Sequence, residues 1–364
     1  MGFLTKLKGL LPPSSRSFHA MYEEVGDIHN RVRTVQEDLV LLRSHMVHEV
    51  DEVIMPAVRH TQGAVDAHAA AMELFAWDAY QRDGESLADA KKRFFANIPA
   101  AEGRLRRYQE LCTRLLAAFD ELCASCGATY WIACGTLIGA VRHKGFIPWD
   151  DDIDLGMLRQ DLDRVARAAE ADERFRISVV YDFWACCKQV RFRWADEAVP
   201  CFLDLFPYDV VDANDRAAAL AAHASARERL REAQKTDLAF WEEAPYLDAS
   251  DARARSVAEA FSRAEAGLAP LRQTGDAAEA GTGRAVLWGV ENEDYPTATL
   301  VPAGNVFPLQ RMTFDGVECW GPHDPLAVLE QAYGDVYAMP GDIKTHFRHT
   351  DLTLWDDAPS EPGR

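Results

Sequence analysis

Four aspartates fall within five positions of this chain, Asp150, Asp151, Asp152 and Asp154, directly after Pro148-Trp149. Carboxylates this close repel one another unless a cation neutralises them. Asp152 and Asp154 are two apart, and Ile153, Leu155 and Met157 mark a strand. The two-residue period of a strand puts both carboxylates on one face, about 7 Å apart and close enough to share a hard cation. Asp150 has the same parity if the extended conformation starts early. An all-oxygen ligand set favours Mg²⁺ or Mn²⁺ over zinc. A third carboxylate is expected from a neighbouring strand. Asp204, a single acid inside the apolar run Cys-Phe-Leu-Asp-Leu-Phe, supplies it and needs a partner to be tolerated there. The predicted metal ligands are Asp152, Asp154 and Asp204, and Asp150 completes the predicted catalytic set.

Upstream, a strand is expected to run into Gly135-Thr136, with a helix starting immediately after. A glycine and a hydroxyl at such a junction let backbone approach an anion in front of a helix N-terminus. Arg142, His143 and Lys144 form a basic cluster between this turn and the acids. Gly135, Thr136, Arg142, His143 and Lys144 are therefore the predicted phosphate-binding residues, although His143 equally suits capping or packing. Acid runs are usually solvated loops, and Gly-Thr alone is common; the conjunction is what points to chemistry. That chemistry is transfer at a phosphate: a divalent ion neutralises charge on the leaving group, and Asp204 or Asp150 accepts the proton of the attacking hydroxyl. Trp149 suits stacking on a base or sugar and equally a structural wedge. Phe183, Trp184, Trp194, Tyr333 and Tyr337 read as packing residues. Cys123 and Cys126 read as a buried helix face rather than half of a zinc site, and His346 with His349 lacks a third ligand.

The elements that must position these groups are legible as short apolar runs. Strands are expected at 129–134, 153–157, 175–181, 187–194 and 201–206, with helices over 104–125 and 160–171, an α+β arrangement. The Ala/Arg/Glu-rich stretch from about 213 to 272 reads as a helical insert. An Asp-Gly turn inside Met312–Trp320 signals a hairpin, followed by a helix over 324–333 that Gly334 stops. Before residue 100 the texture differs. Val25, Ile28, Val32, Val35, Leu39, Leu42, Met46, Val50 and Val53 recur at spacings of three and four, a heptad seam that predicts a long helix with a partner. Pairing of two copies through residues 22–55 and packing on the chain's own helices both satisfy it, and the first is preferred. Pro56 is expected to end or bend that helix, and a second helical stretch over 63–97 is expected to break near Gly84. Residues 1–18 read as an amphipathic or unstructured terminus, suited to peripheral contact with an anionic membrane face. Residues 346–364 read as a largely disordered tail. The transferase domain is expected over 101–345, after a coiled-coil or helical region over 19–100.

Bulk properties narrow the class. The 364 residues carry 39 basic and 58 acidic side chains, a net charge of −19. Such a surface repels a phosphate backbone, which argues against general nucleic-acid binding. Eight scattered cysteines, no leader pattern and no long apolar run suggest a reduced, cytoplasmic protein, with the inner membrane face as a peripheral option.

The block GTLIGAVRHKGFIPWDDDIDL, residues 135–155, resembles the defining motif of the LicD family, which is related to fukutin and fukutin-related protein. CFLDLFPYD from Cys201 and FPLQRMTFDGVECWGP from Phe307 are similar to later family stretches, so the resemblance spans about 108–340. It implies a nucleotidyltransferase-like, polymerase-beta-type mixed sheet with flanking helices. It also implies transfer of phosphocholine or ribitol phosphate from a CDP-linked donor to a cell-surface glycan acceptor (teichoic acid, lipopolysaccharide or capsule). In that frame Gly135-Thr136 occupies the phosphate turn, Asp152 and Asp154 are the metal pair, Asp150 completes an alternating triplet, and Asp204 is the later-strand acid. Two other readings remain: transfer of the nucleotide itself to a small molecule or protein, and a non-catalytic coiled-coil scaffold of glycan assembly.

Overall fold

The computed structural model describes residues 31–273 and 283–339, apart from positions 37, 40, 44, 296 and 298. Segment 1–18, the seam positions Val25 and Ile28, the pair His346 and His349, and the tail 346–364 lie outside the described residues. The chain forms two compact units, Met1–Tyr80 and Gln81–Arg364.

In the first unit, the described residues between 31 and 49 are helical as the seam predicts, and the seam positions from Val32 to Val53 are exposed. Pro56 does not end the helix. Proline lacks an N–H and its ring crowds the carbonyl four residues back. The chain absorbs this by widening to a π-helical turn over Val50–Ile54, closed by the Met55 N–H on the Val50 carbonyl, and continues as α1, Met55–Tyr80.

The second unit starts after a break in which Gly84 takes φ +78°, as the expected interruption requires. Ser86 then caps α2, Leu87–Ala96, by accepting the Asp89 N–H. Residues 81–100 lie with this unit, because α2 buries Ala90 and Phe95 there and Lys91 pairs with Asp335 at 2.8 Å. Helix α3, Gly103–Cys126, buries Tyr108, Cys112, Leu115, Leu116, Phe119 and Leu122 along one stripe. It stops at Gly127 in the left-handed conformation, whose N–H bonds the Cys123 carbonyl. Cys123 and Cys126 form its last turn, a helix face as expected.

Strand β1 (Trp131–Ile132), helix α4 (Cys134–Arg142), β2 (Asp154–Leu158) and helix α5 (Arg159–Glu170) follow. Then come β3 (Phe175–Asp182), β4 (Cys187–Trp194), β5 (Phe202–Asp212) and helix α6 (Arg216–Lys235). The sheet order is β1-β2-β5-β4-β3, with β2 and β5 parallel and the other neighbours antiparallel. Leu155, Met157, Val190, Phe192, Leu203 and Leu205 turn one face into the core under α3 and α5. The period-two alternation therefore leaves Asp154, Arg191 and Asp204 on the opposite face.

The expected insert is helical in α6 and in α7, Ala254–Leu268, but β6 (Tyr246–Asp248) between them adds to the sheet edge at β3. β5 runs six residues beyond the expected Phe206, because its far half pairs with β7 (Arg284–Trp288), which in turn pairs with β8 (Leu300–Pro302). After a short helix α8 (Ala303–Val306), β9 (Gln310–Phe314) and β10 (Val317–Gly321) form the predicted hairpin. Asp315 and Gly316 both have positive φ, as a primed two-residue turn demands. Helix α9, Pro325–Tyr333, is capped by Asp324 and ends at Gly334. Contrary to the packing assignment from sequence, Trp184 is 67% exposed.

Close packing fixes how α4 meets the loop that delivers the aspartates. A Cβ on Gly139 would lie 2.3 Å from the Gly145 carbonyl oxygen and 3.1 Å from the Ile147 nitrogen. Gly139→Ala therefore forces helix and loop apart and is expected to cost about 1–3 kcal/mol in denaturant unfolding. A cost below about 0.5 kcal/mol would show that the loop yields freely.

Candidate active site

Three register partners form one row across the sheet: Asp154 on β2, Asp204 on β5 and Arg191 on β4. Asp152, two residues before Asp154, adds its carboxylate to the same group. Oxygens of Asp152, Asp154 and Asp204 all lie within 4.8 Å of one another, as do those of Asp150, Asp151 and Asp152. The structure thus brings the four predicted acids together, with Asp152 shared between two sets of three.

Local hydrogen bonds hold the acids there. Ala133 donates its N–H to the Asp154 carbonyl (2.9 Å), and the Asp154 N–H donates to the Thr136 hydroxyl (2.8 Å). The Asp150 N–H reaches Ile147, its carbonyl accepts from the Gln109 amide, and the Asp204 N–H donates to Ile153. Helix α4 starts at Cys134, three residues earlier than the sequence suggests, so Gly135 and Thr136 are in its first turn. Gly135 faces the acids: a Cβ there would lie 2.9 Å from Asp150 Oδ2, and its N–H donates to the Asp154 carboxylate. Thr136 is buried, and its hydroxyl serves β2.

Burial, followed by the charges of Asp154, Asp150, Asp204 and Asp151, pushes the Asp152 carboxyl well above the usual carboxylate range. Burial, with Asp204, Asp150 and Glu293, does the same to Asp154, against the pull of the Gly135 N–H. Asp152 and Asp154 are thus buried and crowded by like charge. A compact all-oxygen set in this condition fits a hard divalent cation, and Asp152, Asp154 and Asp204 are the residues that would hold it.

The acids line a cavity of about 490 Å³. Its wall includes Trp149, Lys188, Arg191, Glu293, Tyr295 and Tyr333. Tyr333, assigned to packing from sequence, is 43% exposed on this wall.

Arg142, His143 and Lys144 do not line this cavity. Arg142 stacks on Phe95 of α2 at 3.8 Å and donates to the Val336 carbonyl, and burial pushes its pKa down to about 10. His143 packs edge-on against Phe95, and burial and Arg142 push it down to about 4. The Lys144 carbonyl accepts the Asp315 N–H, and the Asp315 carboxylate is held by Arg106 and Thr113. The basic cluster therefore docks α2 and the β9–β10 hairpin, because the end of α4 turns it away from the acids. Among the described residues, Arg191 lies beside them, its Nε donating to Asp204 Oδ1 at 3.1 Å. Its signal was the alternation of Gln189, Arg191 and Arg193 with apolar residues along β4, the strand next to the acid strand.

Arg159 forms a fork with the Asp209 carboxylate, both bonds 2.9 Å, and also pairs with Glu291. Both carboxylates are buried, and Arg272 and Glu265 complete the network. Glu291 in turn accepts the Lys188 N–H on its carbonyl at 2.7 Å.

A mixed sheet thus aligns carboxylates of two parallel neighbours beside a helix start. Residues 127–236 match the model of the LicD/FKTN/FKRP nucleotidyltransferase domain. The lipopolysaccharide cholinephosphotransferase LicD of Haemophilus influenzae is 37% identical over 120 residues, covering 29% of this chain and 45% of that protein. Human ribitol 5-phosphate transferase FKRP is 46% identical over 54 residues, 13% of this chain and 11% of that protein. An uncharacterized protein of Rickettsia prowazekii is 38% identical over 69 residues, 19% and 26% of the two chains. The chain thus spans less than half the length of each of these relatives.

Proposed function

We propose that the chain is a metal-dependent transferase that moves a phospho-substituent, phosphocholine or a polyol phosphate, from a CDP-linked donor to a sugar hydroxyl of a cell-surface glycan. The observation that carries this reading is the convergence of the Asp152, Asp154 and Asp204 carboxylates to within 4.8 Å in the lining of a cavity. The names of two relatives, one acting with cholinephosphate and one with ribitol 5-phosphate, support the kind of group moved. Mg²⁺ (or Mn²⁺), when bound, supplies charge neutralisation at the donor's pyrophosphate. Asp152, Asp154 and Asp204 would hold it, and the Gly135 N–H donates to the Asp154 carboxylate. Asp150, against Gly135 and outside that set of three, is the group that takes the proton of the attacking hydroxyl. A scaffold has no use for a self-repelling carboxylate group, so the acid set favours an enzyme. The exposed seam of the first unit supports pairing of two copies. No helix among the described residues is long and apolar enough to cross a membrane.

Thermal unfolding with CDP-choline and CDP-ribitol, each with and without Mg²⁺, tests the proposal. A bound donor at a hundred times its Kd adds about 2.7 kcal/mol. A rise in melting temperature that needs donor and metal together is expected. Absence of any shift, or one indifferent to metal, would contradict it.

A further inference from the structure

In the Asp154–Asp204–Arg191 row, the guanidinium occupies a place beside Asp204 that a metal would contest. Arg191 is held from three sides. Its Nε donates to Asp204 at 3.1 Å, one Nη donates to Gln189 Oε1 at 2.9 Å, and its plane lies over the Phe202 ring at 4.0 Å. Its side chain is 12% exposed and lines the cavity. These bonds use two of the five N–H groups of a guanidinium, a fork shaped for phosphate.

We propose that Arg191 is the donor-phosphate cation, and that its bond to Asp204 couples nucleotide binding to metal binding. This rests on the metal–nucleotide reading above. Without metal, Arg191 is the counter-ion of Asp204, so an arriving divalent cation must compete with it for that carboxylate. Once the metal shares the Asp204 charge, the guanidinium is less strongly held and pairs with an anionic phosphate. Each ligand then strengthens the other by the same factor, as linkage requires. Arg191 thus opposes metal alone and favours nucleotide, two effects of opposite sign from one side chain.

Calorimetric titration of the full chain with Mn²⁺ alone, and with CDP at saturating Mn²⁺, reads both effects. In Arg191→Met, Mn²⁺ alone is expected to bind about 3–10-fold tighter, and CDP with Mn²⁺ about 10–100-fold weaker, the scale of a lost charge-assisted phosphate contact. Arg191→Lys keeps the charge but not the fork; its Mn²⁺ affinity is expected to stay near wild type while CDP weakens. A side chain that merely supports the fold would weaken both ligands together, and that result overturns the proposal. So does unchanged CDP affinity in both variants. Failure of the wild-type chain to bind Mn²⁺ or CDP would instead remove the metal–nucleotide reading itself, and this inference with it.

Discussion

Asp152→Asn is expected to lower metal-dependent transfer by roughly 10²–10³-fold or more, the scale of removing a group that stabilises developing charge. Asp152 is the carboxylate common to both acid sets, so no neighbour substitutes for it. The fold should survive, because the change removes a charge that its neighbours repel. The metal-free protein supplies an internal check. Burial and neighbouring acids raise Asp152 and Asp154 in the folded chain above their ordinary value. The folded state therefore binds more protons than the unfolded one between the two values, and metal-free stability falls as pH rises through that window. Asp152→Asn should flatten this fall and leave a melting temperature at neutral pH equal to or above that of the chelated wild type. Retained transfer, assayed with a labelled donor in excess Mg²⁺, would remove Asp152 from the mechanism.

The largest stability effect is expected at Arg159. Its guanidinium neutralises Asp209 and Glu291, whose side chains are each only 3% exposed. Arg159→Met leaves two buried carboxylates with reduced compensation, and breaking such a pair from one side costs about 3–5 kcal/mol. Glu291 also shows the sign of the pH dependence: burial raises it, but Arg159 wins and holds it below the ordinary range. Its contribution is complete above the unfolded value of about 4.3 and is lost as pH falls through the lower folded value. Denaturant unfolding of Arg159→Met at pH 7 should show the full loss and a weaker acid dependence than wild type. A loss under about 1 kcal/mol would mean that Arg272 alone carries the network.

The acid site was legible because its pieces are close in sequence and obey a strand's period of two. Asp152, Ile153 and Asp154 declare a face by themselves, and Asp204 is conspicuous as an acid in an apolar run. Period and turn chemistry also located α3, β4, the Asp315-Gly316 hairpin and the end of α9 at Gly334. What escaped depends on direction and on distant pairing. Arg142, His143 and Lys144 are near the acids in the chain but leave the end of α4 toward Phe95 and Asp315, a turn that proximity in sequence does not reveal. Arg191 reaches Asp204 only because β4 pairs antiparallel with β5, with a register set by the whole sheet. Thr136 resembled a phosphate ligand because a hydroxyl at a helix start serves an anion or a neighbouring strand equally well. Pro56 failed to stop its helix because a π-turn absorbs the missing donor. The extension of β5 needed β7, more than seventy residues later, to be seen.

A crystal of the full chain soaked in Mn²⁺ and measured at the manganese absorption edge addresses the central claim most directly. An anomalous peak is expected among the carboxylates of Asp152, Asp154 and Asp204, bonded to oxygen at roughly 2.0–2.3 Å, and lost in Asp154→Asn. A peak bound elsewhere, or none there at millimolar Mn²⁺ with CDP present, would contradict it.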